Sequence, residues 1–410
     1  MGSEWPTVRL GDLYEFSSGL SKPRSAFGSG YPFLSFKDVF HNIVVPSELS
    51  ELVNSSEKER EQCSIRGGDV FLTRTSETQE ELGMSSVALK SIPDATFNGF
   101  TKRLRPRTGA PIDPRYAAYY FRSPAFRRAV GSMSSLSTRA SLNNEMLSRL
   151  AMVLPPLSEQ QRIGSFLGAL DDKIELNRRM SRTLDQLAQA MFDEWFVDYS
   201  RQLGPLLDSP IGPIPADWEV STLGAICQKP QYGYTESASP SAVGPHFLRI
   251  TDINKEPWIR WDTVPYCPCT PADTEKYGLR RGDVVIARMA DPGHGAYIET
   301  DGQAVFASYL IRFRPLDECM GRYLQYWLRS RPYWELVRAR QGGSTRANLN
   351  ARVLADFPIL VPERSLLVEF SAAADALRSR LSLAVSESAR LSELRDALLP
   401  RLLSGQIAVT

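Results

Sequence analysis

A chain of 410 residues is long enough for two or three domains, each with its own core, and 42% hydrophobic with 23% charged residues is the composition of an ordinary soluble globular protein. The net charge of +1 excludes a protein that coats nucleic acid by bulk charge. No run of 18 apolar residues and no basic-then-apolar leader is present, so we expect a cytoplasmic protein without membrane spans. The five cysteines (Cys63, Cys227, Cys267, Cys269, Cys319) include no C-x-x-C pair, which points to reduced thiols and away from a disulfide framework or a zinc site.

Residues 1–156 read as a mixed α/β domain. Short β-type runs at Phe33–Phe36 and Asp69–Thr73 are bounded by Gly, Pro and Asp, and Pro114–Val130 reads as a helix. Its Tyr116, Tyr119 and Tyr120 are assigned to the core in preference to a base-stacking platform. Residues 157–199 form a long helix: Ile163, Leu167, Leu170, Ile174, Asn177, Ser181, Leu184, Ala188, Met191 and Trp195 repeat at 3-4 spacing along one face. Asn177, polar within that stripe, is a candidate register device. Met191, Phe192, Trp195 and Phe196 end the helix in a wide apolar face, which we expect the domains' own loops to cover. Residues 200–215, SRQLGPLLDSPIGPIP, are a linker.

The chain is then written a second time. WPTVRLGDL from Trp5 returns as WEVSTLGAI from Trp218, YPFLSFKDV from Tyr31 as PHFLRITDI from Pro245, and RGGDVFLTR from Arg66 as RRGDVVIAR from Arg280. FNGFTKRLRP from Phe97 returns as FASYLIRFRP from Phe306, and STRASLN from Ser137 as STRANLN from Ser344. Residues 216–362 therefore repeat the first domain, with strands at Phe247–Ile250, Asp283–Ala287 and Leu310–Phe313 and a helix at Gly321–Val337 carrying Tyr323, Tyr326 and Trp327. Residues 363–410 form a second long helix with a stripe at Phe370, Ala374, Leu377, Leu381, Ala384, Ser388, Leu391, Arg395, Leu398 and Leu402, widened by Ala373 and Leu394. Pro400 should bend or end it, leaving Leu402 and Leu403 to pack elsewhere. The fold class is α+β: two tandem mixed α/β domains, each followed by a long helix, the helices pairing as an antiparallel coiled coil around an internal pseudo-two-fold.

Basic charge is concentrated at matching places, ten basic against two acidic residues over 97–149 and nine against three over 306–352. Phosphate-binding loops, nucleophile elbows and H-E-x-x-H are absent, as are the glycine-rich cofactor loop and the (Asn/Asp)-Pro-Pro-aromatic motif of an adenine methyltransferase; we expect no enzyme. The STRAxLN stretches are the recurrent polar loops. Their Ser, Thr and Arg suit phosphate, while Asn and Arg suit adenine and guanine edges. The plainer alternative is that Ser141 or Asn348 caps a short helix.

Four stretches carry a family resemblance: LPPLSEQQRIGSFLGALDDKIELNRR from Leu154, MFDEWFVDY from Met191, GPIPADWEVSTLG from Gly212 and ALLPRLLSGQI from Ala397. The chain resembles the DNA-specificity subunits of Type I restriction-modification systems over essentially its whole length. It departs from their pattern where VPERSLLVEFSAAADAL replaces the usual Pro-x-x-x-Gln-x-x-Ile opening of the second helix. The resemblance implies two target-recognition domains, each reading half of a split double-stranded DNA site, and a coiled coil that spaces them and docks two modification subunits. Those subunits carry S-adenosylmethionine, this chain binding no cofactor or metal, and a restriction/translocase subunit is a further partner the family allows. For DNA contact we single out Lys37, Arg74, Lys102, Arg103, Ser137, Thr138, Arg139 and Asn143 in the first half and Thr251, Arg288, Ser344, Thr345, Arg346 and Asn350 in the second. Two other readings stay open on the residues alone: a coiled-coil adaptor for proteins, and a stand-alone DNA methyltransferase with unrecognised motifs.

Overall fold

The computed structural model describes residues 5–75, 81–134, 141–202, 204–302, 304–341 and 349–409. The chain divides into two compact units, Met1–Asn177 with Ser386–Thr410, and Arg178–Val385. In the first, an antiparallel sheet runs in the order Tyr14–Ser18, Thr101–Pro106, Val70–Thr73, Ser85–Val87, and every residue of its inner strand Val70–Thr73 is buried. A second sheet pairs Phe27–Leu34 with Glu51–Val53 and, in parallel, with Thr96–Phe97, and Thr7–Arg9 closes on Ala151–Val153.

The second unit has the same plan. Gln231–Tyr232, Leu310–Phe313, Val284–Ala287 and Gly295–Tyr297 form its antiparallel sheet, His246–Leu248 lies parallel to Ala304–Phe306, and Glu219–Thr222 pairs with Pro358–Val361. The written repeat is thus a repeat of topology. Each inner strand follows the same turn, with Gly68 at φ +92 and Gly282 at φ +95, a left-handed conformation that favours glycine. The next residue is a fully buried aspartate. Asp69 accepts from the Arg66 N–H (2.7 Å) and pairs with Arg105 (2.6 Å); Asp283 accepts from the Arg280 N–H (2.9 Å) and pairs with Arg314 (2.6 Å).

Some boundaries differ from those expected. Phe36 opens the helix Phe36–His41, capped by Ser35 with Asp38, and Ile250 opens a 3-10 turn. The single helices expected at Pro114–Val130 and Gly321–Val337 are pairs, Pro114–Tyr120 with Pro124–Ser134 and Met320–Trp327 with Arg331–Gln341. Pro124 and Pro332 cannot give an N–H to a preceding turn but fit the first turn of a new helix, and the hydroxyls of Ser123 and Ser330 accept from the N–H groups of Phe126 (3.2 Å) and Tyr333 (3.5 Å) there. Tyr116, Tyr119, Tyr120, Tyr323, Tyr326 and Trp327 are all buried, as core residues should be.

The long helices span Leu157–Phe192, followed by a π turn at Asp193–Val197, and Arg364–Leu403. In the first unit they run antiparallel: Asp171 pairs with Arg395 (2.6 Å), Lys173 with Glu387 (3.3 Å), and the fully buried Asn177 donates to Glu387 (2.8 Å). In the second unit Asp185 pairs with Arg378 (3.1 Å), and Phe192 and Trp195 lie 5.9 and 5.8 Å from the Phe370 ring. The apolar end of the first helix is covered by Phe370, Tyr323, Tyr326 and Trp218, so helices and a strand start do what we expected of loops. Leu394 does not widen the buried stripe; it is 46% exposed. Pro400 lies inside the second helix, which continues to Leu403, and Leu399, Leu402 and Leu403 enter the first unit's core beside Leu10, Tyr14 and Leu72.

A buried ion network ties both helices to the second domain. Arg378 bonds Glu299 (2.8 and 3.0 Å) as well as Asp185, Arg329 grips Asp185 with two bonds (2.8 and 2.6 Å), and Arg322 bonds Glu299 and Asp375 (2.6 Å each). Burial pushes the Glu299 carboxyl up, but Arg378 and Arg322 outweigh it and hold the group below the usual range.

Candidate nucleic-acid interface

An arginine follows each of the strands Val70–Thr73 and Val284–Ala287, and both arginines have the same backbone surroundings. The Arg74 N–H donates to the Phe100 carbonyl (2.9 Å) and its own carbonyl accepts from the Leu142 N–H (2.9 Å); Arg288 repeats this with Tyr309 (3.0 Å) and Leu349 (3.0 Å). Leu142 and Leu349 belong to the STRAxLN stretches, so each stretch is docked at its C-terminal end on a strand-end arginine. Ser137, Thr138, Arg139, Ser344, Thr345 and Arg346 lie outside the described residues. Asn143 and Asn350 cap the helices Asn144–Arg149 and Ala351–Ala355, accepting from Met146 N–H (2.8 Å) and Val353 N–H (3.0 Å). The capping expected of Ser141 therefore falls to Asn143 in the first unit, while Asn348 lies outside the described residues. Both are exposed, and their amide nitrogens have no partner among the described residues.

The side chains of the two arginines are underused. Nε of Arg74 and Nε of Arg288 are buried and have no hydrogen-bond partner among the described residues. The Arg74 guanidinium reaches the Ser18 hydroxyl only at 3.5 Å, and that of Arg288 lies over the Tyr232 ring, 5.2 Å from its centre. A buried donor left unsatisfied costs about 1–3 kcal/mol, so each of these Nε groups calls for an acceptor.

Around this common arginine the units differ. In the first, Lys102 donates to the Ser18 hydroxyl (2.9 Å) and to the side-chain Oδ1 of Asn144 (2.8 Å), and burial together with the Arg74 charge lowers the lysine pKa. No carboxylate among the described residues pairs with Arg74 or Lys102. Strand register sets Ser18 opposite Lys102, and in the second unit sets Tyr232 opposite Ile311. There the Tyr232 hydroxyl accepts from the Ala351 N–H (3.0 Å). The ends of these edge strands come close because Gly19 and Gly233 follow them: a Cβ there would meet the Phe97 and Phe306 carbonyls at 2.2 and 2.3 Å.

The remaining residues singled out from the sequence do not join these clusters. Arg103 is 8% exposed and donates to the Gln62 (3.2 Å) and Ser64 (2.8 Å) carbonyls, and burial lowers its pKa. Its counterpart Arg312 does the same for Gly278 (2.6 Å). Lys37 and Thr251 are exposed on the helix Phe36–His41 and the turn Ile250–Asp252 and share no hydrogen bond with Arg74 or Arg288 among the described residues. Much of the recurrent basic charge serves the frame. Arg122, its pKa lowered to about 10 by burial and by Arg127, binds the carbonyls of Ser85, Val39, Phe40 and Asn42; Arg127 binds that of Leu82. Sequence reasoning missed Ser18, Asn144 and Tyr232, whose only signal is strand and helix placement beside Lys102 and Arg288.

Two copies of one α/β frame thus each follow the inner strand with an arginine whose Nε has no hydrogen-bond partner among the described residues, amid different neighbours. Among the described residues no His/Cys/Asp/Glu group could hold a metal ion, and no helix is long and apolar enough to cross a membrane. Residues 2–186 match the model of the Type I restriction modification DNA specificity domain. The MjaIX specificity subunit of Methanocaldococcus jannaschii is 23% identical over 99% of this chain and 94% of its own length. The HindI specificity subunit of Haemophilus influenzae is 24% identical over 64% of this chain and 70% of its own. The crystal structure of the Type I S subunit from M. genitalium superposes with a TM-score of 0.57 at 13% identity, covering 97% of this chain and 96% of that one, a likeness of fold. The matched stretch thus carries a Type I restriction modification DNA specificity domain, and the relatives matched along the chain are Type I specificity subunits.

Proposed function

We propose that this chain reads a split, asymmetric duplex DNA site, residues 1–156 contacting one half-site and residues 216–362 the other. The helices 157–199 and 363–410 pair as an antiparallel coiled coil that fixes the gap between half-sites and docks two modification subunits, which hold S-adenosylmethionine; a restriction/translocase subunit is a further partner, and the cytoplasm is the compartment. Arg74, Lys102, Asn143, Arg288 and Asn350 make DNA contacts, with Lys37, Thr251 and the STRAxLN residues Ser137, Thr138, Arg139, Ser344, Thr345 and Arg346 completing the surface. The observation that carries this reading is the pair of buried Arg74 and Arg288 Nε donors, without a partner among the described residues, on the arginines whose carbonyls hold the Leu142 and Leu349 N–H groups. Arginine at such a position suits both phosphate and the guanine edge. Unlike side chains on a common frame suit an asymmetric target, because an identical pair would demand a palindrome.

The test is long-read methylation mapping of DNA from cells expressing this chain with and without its cognate modification subunit. The expected result is methylated adenine only when both are present, in a split motif with a fixed unspecified gap. Methylation by this chain alone would overturn the non-catalytic reading. No methylation from soluble, associated proteins would favour a protein adaptor.

A further inference from the structure

The strand and helix register sets three residues of each unit at corresponding positions around the common arginine. In the first unit they are Ser18, Lys102 and Asn144; in the second, Tyr232, Ile311 and Ala351. The two sets differ in every member, while the arginine, its two backbone hydrogen bonds and the asparagine cap beside it are retained. A purely structural cluster on a duplicated frame would keep its own partners, as Asp69 with Arg105 and Asp283 with Arg314 do. We infer that these positions determine base specificity and that the Ser18–Lys102–Asn144 group, with Arg74, reads a guanine. This rests on the DNA-reading function proposed above and assigns chemistry to one part of it.

The donor pattern leads to the base. The Lys102 ammonium is almost buried and donates to the side-chain Oδ1 of Asn144, so it acts on DNA through its neighbours as a positioning residue. With that oxygen engaged, the exposed Asn144 amide presents its N–H2 group outward. The adjoining Arg74 guanidinium supplies further N–H groups, including a buried Nε without a partner among the described residues. Apart from the Ser18 hydroxyl, the face offers donors. In the major groove guanine alone presents two acceptors, N7 and O6, with no donor between them, whereas adenine adds an N–H2 that an all-donor face repels. The second unit lacks this device: Ile311 cannot orient an amide, Ala351 has none, and the Tyr232 hydroxyl, engaged as acceptor by the Ala351 N–H, has its single proton left to donate beside Arg288.

The experiment is methylation mapping with this chain co-expressed with its modification subunit, comparing wild type with Lys102→Ile and Asn144→Ala. Both substitutions install what the second unit already carries at the matching place, so the frame accommodates them. The wild-type map is expected to show guanine at a fixed position of one half-site. Each variant is expected to relax that position alone, by about ten- to a hundredfold in preference over the other bases, leaving the other half-site and the gap unchanged. A uniform fall in methylation with an unaltered motif would make the group a backbone contact and overturn the assignment, as would a wild-type motif without guanine in the affected half-site. A wild-type map with no split motif would overturn the proposed function, and this assignment with it.

Discussion

Replacing Arg378 with Met tests whether the ion network of the second unit stabilises it. Arg378 and Asp185 are each 2% exposed and Glu299 is 25% exposed, so the variant removes one charge from a water-poor cluster and keeps the volume. Taking one partner from a buried pair costs roughly 3–5 kcal/mol. Asp185 retains two bonds to Arg329 and Glu299 retains one to Arg322, which places the loss near the lower bound, about 3 kcal/mol. Six of the seven tryptophans lie in the second unit, all but Trp5, so urea unfolding followed by tryptophan fluorescence reads this unit. The pH dependence gives a second readout. The Glu299 pKa lies below its unfolded value, so its stabilisation is complete above the ordinary glutamate range and is lost as pH falls through the folded value. Without Arg378, burial is opposed by Arg322 alone and the loss begins at higher pH. An unchanged midpoint and an unchanged acid limb would refute the role given to the network.

Arg105→Leu leaves the fully buried Asp69 charge without its guanidinium partner and should destabilise the first unit by roughly 3 kcal/mol, read as lost hydrogen-exchange protection in Val70–Thr73; full protection would contradict it. Asn143→Ala removes a helix cap at a cost of about 1 kcal/mol, whereas Asn143→Ser keeps the cap and should weaken DNA binding by the assembled complex without lowering stability; equal binding by the serine variant would confine Asn143 to capping. Asn177→Ala should let the Glu387 carboxyl, held low chiefly by its hydrogen bond from Asn177 and then by Lys173, rise toward its usual range in an NMR titration; no movement would deny that bond. Arg74→Ala should reduce the salt dependence of DNA binding if the guanidinium also meets phosphate, the slope of log K against log salt falling by about 1.

The duplication was legible because its anchors are local words: Gly68 and Asp69 write the same turn as Gly282 and Asp283. The helix stripes were legible for a similar reason, since a 3-4 period records burial directly, and Ile163, Leu167 and Ile174 lie on the buried face. Periodicity does not report where a neighbouring surface stops, which is why Leu394 was assigned to the wrong side. Nor does it register that Pro124 and Pro332 each stand in the first turn of a new helix. The candidate site was half visible. Arg74 and Arg288 stand in a repeated motif, but Ser18 and Tyr232 enter through strand pairings across 84 and 79 residues, and Asn144 through a helix start whose cap is expected at other residues. Charge counting overreached: Arg103, Arg105, Arg122 and Arg127 recur or cluster because carbonyls and a buried carboxylate need them inside.

The first unit's core contains Leu399, Leu402 and Leu403, while the second unit is one uninterrupted stretch of chain. During synthesis the first domain therefore emerges early and cannot complete its core until Leu399, Leu402 and Leu403 have been made, after the whole of the second unit. The later-made unit has all of its parts available sooner, reversing the usual order in which domains mature from the N-terminus. A protein truncated at residue 385 should keep its second unit and fail in its first.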